Sequence, residues 1–233
     1  MKLNDLPSLL SEALFPRSCV VCGGAVPAGL GWPLCDACEA SLQPISGTRC
    51  IRCGKSLISE RELCMRCRCS VYDFDSAFPL FRYAGNVKKL LVAYKAGGRR
   101  SLSRLMARYL ADGLRTTYPG AVVVPVPPRP GKLRRKGWDQ VEDLARALEL
   151  RHGVAVARLL GRRGSAIEQK NLDFAGRAAN MQGAFAVKAP LDPSLRYVLL
   201  DDVLTTGATL SECARVLKAS GATLVAAMVF AAD

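Results

Sequence analysis

Four C-x-x-C pairs within residues 19–67 constrain the fold of this chain more than any other feature. They form a repeat, in which one pair is followed by Gly and a second pair is preceded by Leu. Two thiolates at this spacing can bind one metal ion, and two such pairs complete a tetrahedral site. The repeat therefore favours sequential ligand sets, whereas interleaved pairing, or iron in place of zinc, remains open. The predicted ligands are Cys19, Cys22, Cys35 and Cys38 for one ion and Cys50, Cys53, Cys64 and Cys67 for the other.

These two zinc sites are predicted to be structural. Four Cys ligands leave no open coordination position, and a segment with so few apolar residues needs the metal in order to fold. Ten cysteines in a chain without an export signal favour metal over disulfides, so we expect a cytoplasmic location. Cys213 follows a helical apolar pattern and is interpreted as a core residue, while Cys69 is left as an alternative ligand or a spare thiol.

The N-terminal segment does not follow the pattern of a signal peptide. Residues 6–14 predict a short amphipathic helix that ends at Pro16. No apolar run approaches the roughly 20 residues that span a bilayer, so we expect no membrane insertion.

The formal charge of +13 is unevenly distributed. Residues 1–70 hold 8 Lys+Arg and 6 Asp+Glu, whereas residues 71–233 hold 25 and 14, a surplus of +11. Two Cys₄-Zn²⁺ sites would change the N-terminal segment from +2 to −2. A polyanion is therefore expected to bind the larger segment and not the ribbon.

Residues 71–233 alternate between strand and helix patterns and predict a second domain, after a domain of residues 1–70. Such alternation is typical of an α/β fold, a parallel sheet with helices on both faces. Strands are predicted at residues 76–83, 121–126, 154–160, 184–187, 196–200 and 224–230, and helices at residues 87–95, 101–116, 138–150 and 210–219.

Residues 197–209 begin as an apolar strand, continue with Asp201 and Asp202, and end in a loop of small residues that opens a helix. Open α/β sheets bind ligands at the carboxyl ends of their strands. Loop amides and the helix N-terminus suit a phosphate, and the two acids suit sugar hydroxyls or a hydrated Mg²⁺. The segment therefore predicts a site for a phosphorylated sugar, the alternative being an ordinary strand, turn and helix.

This segment resembles the phosphoribosyl-pyrophosphate (PRPP) motif of type I phosphoribosyltransferases at all 13 positions. The resemblance implies that PRPP binds together with Mg²⁺ and that Asp201 and Asp202 hold the ribose hydroxyls. It implies that the 5-phosphate lies in a cradle formed by Thr205, Thr206, Gly207, Ala208 and Thr209. By chain order, Pro127 and Arg129 match the pyrophosphate loop of that family.

A cationic loop follows the strand at residues 121–126. It contains Arg129, Lys132, Arg134, Arg135 and Lys136. Such a run is usually a solvated surface, but it can also bind pyrophosphate or a nucleic-acid backbone. We predict pyrophosphate contact for one or two of these residues and polyanion contact for the others, with Lys88, Lys89, Arg99 and Arg100 as a second basic patch.

The chain as a whole is similar to the ComF family, whose members also carry an N-terminal Cys-rich ribbon. The resemblance rests on residues 124–127, residues 135–140, and Gln169, Leu172, Arg177, Asn180, Gly183, Ala184 and Phe185. It implies a mobile catalytic loop at residues 161–182, with Arg177 acting beside Asp201 and Asp202. One departure is Asp139, where the family more often has Asn.

The ComF resemblance implies handling of single-stranded DNA during natural transformation or DNA uptake, with competence-machinery partners such as a helicase. Whether the protein turns over PRPP stays open, and so does the acceptor. The alternatives are a phosphoribosyltransferase of nucleotide salvage and a non-enzymatic PRPP sensor that binds nucleic acid. His152, the only histidine, is interpreted as a capping or surface residue.

Overall fold

The structure is a computed structural model that describes residues 17–27, 29–59, 61–129, 131, 136–163 and 183–233. The predicted N-terminal helix at residues 6–14 lies outside the described residues. No helix in the described part of the chain is both long and apolar enough to cross a membrane.

Helices and strands alternate along the larger segment, as the sequence predicts. The elements, in chain order, are α1 (Asp36–Ala40), α2 (Met65–Arg68), β1 (Ser76–Arg82), α3 (Gly85–Lys95), α4 (Leu102–Thr117), β2 (Val122–Pro125), α5 (Gln140–His152), β3 (Leu160–Arg162), β4 (Phe185–Val187), β5 (Tyr197–Leu204), α6 (Ala208–Ala219) and β6 (Val225–Ala232).

Four of the strands form a parallel sheet in the order β1-β6-β5-β2. β5 lies inside the sheet, where it pairs with β6 on one side and with β2 on the other. The predicted parallel sheet with flanking helices, preceded by a Cys-rich double ribbon, is therefore confirmed.

Two predicted strands differ from their observed form. Residues 154–159 contribute only a single parallel bridge, Val123 to Val156, at the edge of the main sheet, and Leu160 begins β3. Residues 185–187 pair with β3 in a separate antiparallel sheet, although a strand in this alternating pattern was expected in the parallel sheet. Both runs are short and only partly buried, so their periodicity could not identify their partners.

The side chains of β5 and β6 alternate between two cores on opposite faces of the sheet. Val198 and Leu200 belong to a cluster with α3, α4 and α5, whereas Tyr197 and Leu199 belong to a cluster with α6. All eight residues of β6 are buried. A strand covered on both faces has the continuous apolar sequence that is seen here.

Helix α5 is fixed at both ends by its capping residues. The buried side chain of Asp139 accepts hydrogen bonds from the backbone N–H groups of Val141 and Glu142, each at 3.0 Å. Gly153 ends the helix in the left-handed conformation, with a φ of 64°. The acid at position 139 therefore caps a helix, a role that Asn fills equally well. His152 is the last residue of this helix and not a residue beyond it.

The two ribbons contact different parts of the α/β sheet. The first ribbon, residues 17–42, packs on the α4 side of the sheet, where Glu39 forms an ion pair with Arg108. The second ribbon, residues 48–68, packs against β1, and the Ala77 amide donates to the Arg52 carbonyl at 2.8 Å. Each ribbon shares a hydrophobic core with one face of the sheet.

Candidate functional site

The eight predicted zinc ligands form two clusters of four thiols. The clusters are Cys19, Cys22, Cys35 and Cys38, and Cys50, Cys53, Cys64 and Cys67, and within each cluster the ligand atoms lie within 4.8 Å of one another. The sulfur atoms of Cys53 and Cys64 are 3.7 Å apart, and those of Cys22 and Cys35 are 3.8 Å apart. Tetrahedral zinc with bonds of about 2.3 Å requires roughly 3.8 Å between sulfurs, so both clusters fit the ion. The sequential pairing is confirmed, whereas the described residues bring Cys69 into neither cluster.

The acid pair lies within β5, which continues to Leu204. The sequence placed the end of this strand before Asp201, so that boundary was wrong by four residues. The additional pairing arises because β6 stays in register beside β5 as far as Ala232. The backbone N–H of Asp202 donates to the Asp201 carboxylate at 2.8 Å.

Asp201 is held in an environment that favours its protonated form. Burial and the neighbouring charge of Asp202 raise the pKa of Asp201 to about 7. Lys95, at the end of α3, counters part of this rise in pKa, since its Nζ lies 2.8 Å from Asp202 Oδ1. A carboxylate that stays ionised beside a second carboxylate needs a cation or hydroxyl partner, which makes this pair suited to a ligand.

A cavity of about 340 Å³ opens above the acid pair, between the carboxyl ends of β5 and β2. We call it the acid-pair cavity. Its charged lining comprises Lys95, Arg129, Lys136, Arg162, Asp139, Asp201 and Asp202. Burial and the nearby Arg129 lower the pKa of Arg162, so two guanidinium groups face the same space. The cavity is thus lined by cationic side chains as well as by the two acids. The acids suit the hydroxyl groups of a ligand, and the cations suit its phosphates.

The loop after β5 turns sharply into α6. Gly207 has a φ of 81° and is the N-terminal cap of the helix, a conformation that glycine adopts without strain. The amide of Ala208 lies 3.4 Å from Thr206 Oγ1, and that of Ser211 donates to the Gly207 carbonyl at 2.8 Å. Thr209, in the first turn of α6, lines the acid-pair cavity, so the positive end of the helix dipole borders that cavity, an arrangement that suits an anion.

The second ribbon and the segment after it hold this loop from outside. Arg66 donates to the Thr205 carbonyl at 2.5 Å, and the Tyr72 hydroxyl donates to the Thr206 carbonyl at 3.1 Å. The Tyr72 ring also lies so close that a Cβ on Gly207 would be 2.7 Å from its Cε1 atom. Arg66 lies between Cys64 and Cys67 in the chain, so the side chain that contacts the loop belongs to the second metal-binding cluster.

The structure brings some of the predicted site residues together and separates others. Pro127, Arg129, Lys136 and Thr209 line the acid-pair cavity with Asp201 and Asp202. Thr205 instead lines a second cavity beside the ribbon. The predicted residues Lys132, Arg134, Arg135, Arg177, Gln169, Leu172 and Asn180 lie outside the described residues.

Sequence reasoning missed two residues that the fold places at the loop, namely Arg66 and Tyr72. Arg162 was predicted only as part of the catalytic loop at residues 161–182, and Lys95 only as part of a segment, residues 95–100, interpreted as a phosphate or DNA contact or as a helix end. None of these residues is close to the acid pair in sequence, so only tertiary packing brings them there.

Comparisons with known proteins agree with this description of the chain. The family described as double zinc ribbon domain matches residues 10–68. The competence protein ComFC of Streptococcus pneumoniae is 26% identical over 193 residues, which covers 81% of this chain and 83% of the relative. Competence protein F of Haemophilus influenzae is 26% identical, covering 89% and 93%, and the DNA utilization protein YhgH of Escherichia coli is 27% identical, covering 90% and 94%.

Among solved structures, adenine phosphoribosyltransferase from Leishmania tarentolae is 20% identical, with a TM-score of 0.38, and covers 60% of both chains. A hypoxanthine phosphoribosyltransferase from Staphylococcus aureus is 13% identical, with a TM-score of 0.34, and covers 56% of this chain and 62% of its own. The sequence relatives confirm the predicted resemblance: the chain is similar to the competence proteins ComFC and F over most of its length, and its double zinc ribbon precedes a parallel α/β sheet.

Proposed function

We propose that this protein binds PRPP with Mg²⁺ in the acid-pair cavity and acts as a phosphoribosyltransferase in the handling of single-stranded DNA during natural transformation. The observation that carries the proposal is the convergence of three elements at one edge of the sheet. These elements are the acid pair of β5, the loop that opens α6, and the cations that surround the cavity.

Each part of PRPP has a chemically matched partner at this edge. The ribose hydroxyls donate to Asp201 and Asp202, and the 5-phosphate accepts from the amides and hydroxyls of residues 205–209. The pyrophosphate lies toward Arg129 and Arg162, which share the cavity with the acids. Bidentate guanidinium contacts stabilise the charge that develops on departing pyrophosphate.

Lys95 connects the acid pair with the proposed phosphate site. It forms an ion pair with Asp202 and reduces the repulsion between the two acids. The flexible stem of a lysine allows its ammonium group to move from Asp202 to a phosphate oxygen. Mg²⁺, when bound with PRPP, would be held by Asp201 or Asp202 through oxygen ligands and would neutralise charge on the pyrophosphate.

The proposed role in DNA handling rests on charge and on the relatives. The surplus of +11 in residues 71–233 includes Arg129 and Lys136 at the rim of the cavity. Three relatives that align with most of the chain are named for competence or for DNA utilization. A single strand that follows the rim would place its bases beside the proposed PRPP site.

Calorimetric titration with PRPP and Mg²⁺ tests the proposed ligand. Wild type should bind PRPP only with Mg²⁺, and the double variant Asp201→Asn, Asp202→Asn should lose binding while remaining folded. Asp112→Asn, on the exposed surface of α4, is the matched control and should bind as wild type does. Undiminished binding by the double variant would rule out the acid pair as the ribose site.

A turnover assay separates the proposed enzyme from a binding protein. Pyrophosphate released only when a single-stranded oligonucleotide is present indicates transfer to DNA. Release with a free nucleobase instead indicates salvage, and DNA binding without release indicates a sensor.

The triple change Arg134→Ala, Arg135→Ala, Lys136→Ala should reduce the salt dependence of DNA binding, by roughly 0.7 in log-log slope for each lost phosphate contact.

A further inference from the structure

The segment that leads from the second ribbon into β1 packs against α6. We call this segment, residues 69–75, the connector. Its buried rings, Tyr72 and Phe74, belong to the same hydrophobic cluster as Leu210 and Leu217 of α6. The two rings stack with their centroids 4.9 Å apart. The connector is thereby fixed against the helix that follows the loop proposed to bind the 5-phosphate.

Two aspartates of the connector contact opposite ends of α6. The Ser211 hydroxyl, in the first turn, donates to the Asp73 carboxylate at 2.7 Å, and the Asp73 backbone N–H donates to Ser211 Oγ at 2.9 Å. In the last turn, the Lys218 Nζ atom lies 2.7 Å from the Asp75 carboxylate, which also accepts from the Val225 backbone N–H at 2.8 Å. Of the two aspartates, Asp73 is therefore the one that contacts the end of α6 next to the loop.

Two peptide groups of the loop are oriented from the same side of the molecule. Arg66 donates to the Thr205 carbonyl, and the Tyr72 hydroxyl donates to the Thr206 carbonyl. In a trans peptide group the N–H points away from the C=O of the preceding residue. Because both carbonyls point toward the ribbon and the connector, the N–H groups of Thr206 and Gly207 point away from them. These N–H groups are among the donors proposed for the 5-phosphate.

Asp73 acts on the loop through Ser211, whose backbone N–H donates to the Gly207 carbonyl at 2.8 Å. The charge of Asp73 opposes a phosphate at this position, because both anions are drawn to the N-terminal end of α6 and repel each other. A purely electrostatic role therefore predicts stronger PRPP binding when the charge is removed. A positioning role predicts weaker binding when the hydrogen bond to Ser211 is lost, so the two roles differ in sign.

We infer that Arg66, Tyr72 and Asp73 are positioning residues for the 5-phosphate of PRPP. The inference rests on the proposed function and deepens it, by assigning the affinity for one group of the ligand to residues that precede the α/β sheet. They hold the loop amides and the first turn of α6 in the binding conformation, so less conformational entropy is lost when the phosphate binds. In the described part of the chain, none of the three lines the acid-pair cavity, so contacts with the pyrophosphate group do not depend on them.

Calorimetry with two ligands tests whether the effect is confined to the 5-phosphate. Asp73→Ala should weaken the binding of PRPP with Mg²⁺ by roughly fivefold, because one positioning hydrogen bond is lost. It should leave the binding of pyrophosphate with Mg²⁺ unchanged, since that ligand has no 5-phosphate. Asp73→Asn removes the charge but keeps an acceptor for the Ser211 hydroxyl, and it should retain the affinity for PRPP.

Asp75→Ala is the matched control, because it removes a carboxylate from the same connector at the far end of α6. Its affinity for PRPP should equal that of wild type. Unchanged or tighter PRPP binding in Asp73→Ala would overturn the inference, and so would an equal loss in Asp75→Ala, which would indicate a general effect on stability. A loss of pyrophosphate affinity in Asp73→Ala as large as the loss for PRPP would overturn it too.

NMR relaxation of the ligand-free protein distinguishes failure of the inference from failure of the proposed function. The backbone order parameters of residues 205–209 should be about 0.85 in wild type and in Asp75→Ala, and should fall toward about 0.6 in Asp73→Ala. If wild type binds no PRPP but the order parameters follow this pattern, the PRPP proposal fails and the positioning of the loop by the connector stands. Equal order parameters in the three proteins would overturn the inference, even if wild type binds PRPP.

Discussion

The two ribbons share one sequence repeat but differ in how they meet the rest of the molecule. In the first ribbon, Cys22 is exposed and Cys35 is half-buried, whereas all four thiols of the second ribbon are buried. The first ribbon is joined to α4 by the ion pair of Glu39 with Arg108. The second contacts the loop proposed to bind the 5-phosphate, through Arg66. The two copies of the motif therefore make different contacts, because each copy packs against a different part of the molecule.

The glycines at equivalent repeat positions show the same difference at atomic scale. Gly23 and Gly54 have φ angles of 76° and 70°. A Cβ added to Gly23 meets nothing within 4 Å, but one added to Gly54 would lie 2.3 Å from the Ala77 carbonyl oxygen. The positive φ of the turn favours glycine in both ribbons, but only Gly54, in the second ribbon, also packs tightly against the backbone of β1.

The largest expected effect separates the two metal sites by their influence on PRPP. Cys67→Ser and Cys38→Ser should each release about one zinc ion, because each removes one of four ligands. We expect Cys67→Ser to weaken PRPP binding at least about tenfold, since Arg66 and Tyr72 then lose their positions on the loop. Cys38→Ser should change it by less than about twofold.

Elemental analysis and calorimetry on both variants provide the measurement. Equal loss of PRPP affinity in the two variants would show that the ribbons act on the site only through general stability. If wild type contains only one zinc ion per chain, one of the two predicted metal sites is not filled and the two sites cannot be compared in this way.

The glycine pair provides the next largest effect. Gly23→Ala should cost about 1 kcal/mol in the free energy of unfolding, because alanine is strained at positive φ. Gly54→Ala carries the same strain and must also move the β1 backbone, which adds about 1–3 kcal/mol. Urea unfolding of the two variants measures the difference, and identical midpoints would contradict the packing of the second ribbon on β1.

The pH dependence of stability should be the same in variants of either ribbon, because the titrating group lies in the sheet and not in a ribbon. The pKa of Asp201 is about 7 in the folded protein, against 3.8 for an ordinary aspartate. The folded state therefore binds more protons between these values, and the free energy of unfolding should rise as pH falls from 8 to 6. We expect a change of roughly 1 kcal/mol after allowance for solvent screening.

Urea unfolding at pH 6 and pH 8 tests this expectation, with Asp201→Asn as the comparison. The variant should lose most of the dependence. A dependence that persists in Asp201→Asn would mean that another group titrates.

A single hydroxyl offers a finer test of the contact between the second ribbon and the loop. Tyr72→Phe removes the hydrogen bond to the Thr206 carbonyl, and Tyr118→Phe removes a contact of 3.1 Å with the Ser76 hydroxyl, away from the loop. Both should cost about 1 kcal/mol of stability, but only Tyr72→Phe should weaken PRPP binding, by roughly threefold. Equal PRPP affinity in the two variants would show that this bond does not position the loop.

The smallest effect is expected from the ion pair of the first ribbon. Glu39→Gln should lower the free energy of unfolding by less than about 1 kcal/mol, because the Arg108 side chain is 41% exposed. PRPP affinity should not change. A measurable loss of PRPP binding in Glu39→Gln would show that the first ribbon also reaches the site.

The sequence was most informative where chemistry depends on near neighbours in the chain. The C-x-x-C repeat identified both ligand sets, because knuckle geometry is local. Apolar runs identified β5 and β6, because a strand buried on both faces is apolar throughout. It was less informative at boundaries, such as the end of β5 beyond Asp201, because that end depends on the length of β6.

By itself, the sequence determined the metal ligands, the α/β class and the acid pair, since each depends on spacing, periodicity or adjacency in the chain. Only the tertiary structure decided that Lys95 lies beside Asp202 and that the second ribbon contacts the loop proposed to bind the 5-phosphate. These contacts join segments more than 100 residues apart. No local pattern encodes such distances, because the packing of a ribbon on a sheet depends on the shape of both surfaces.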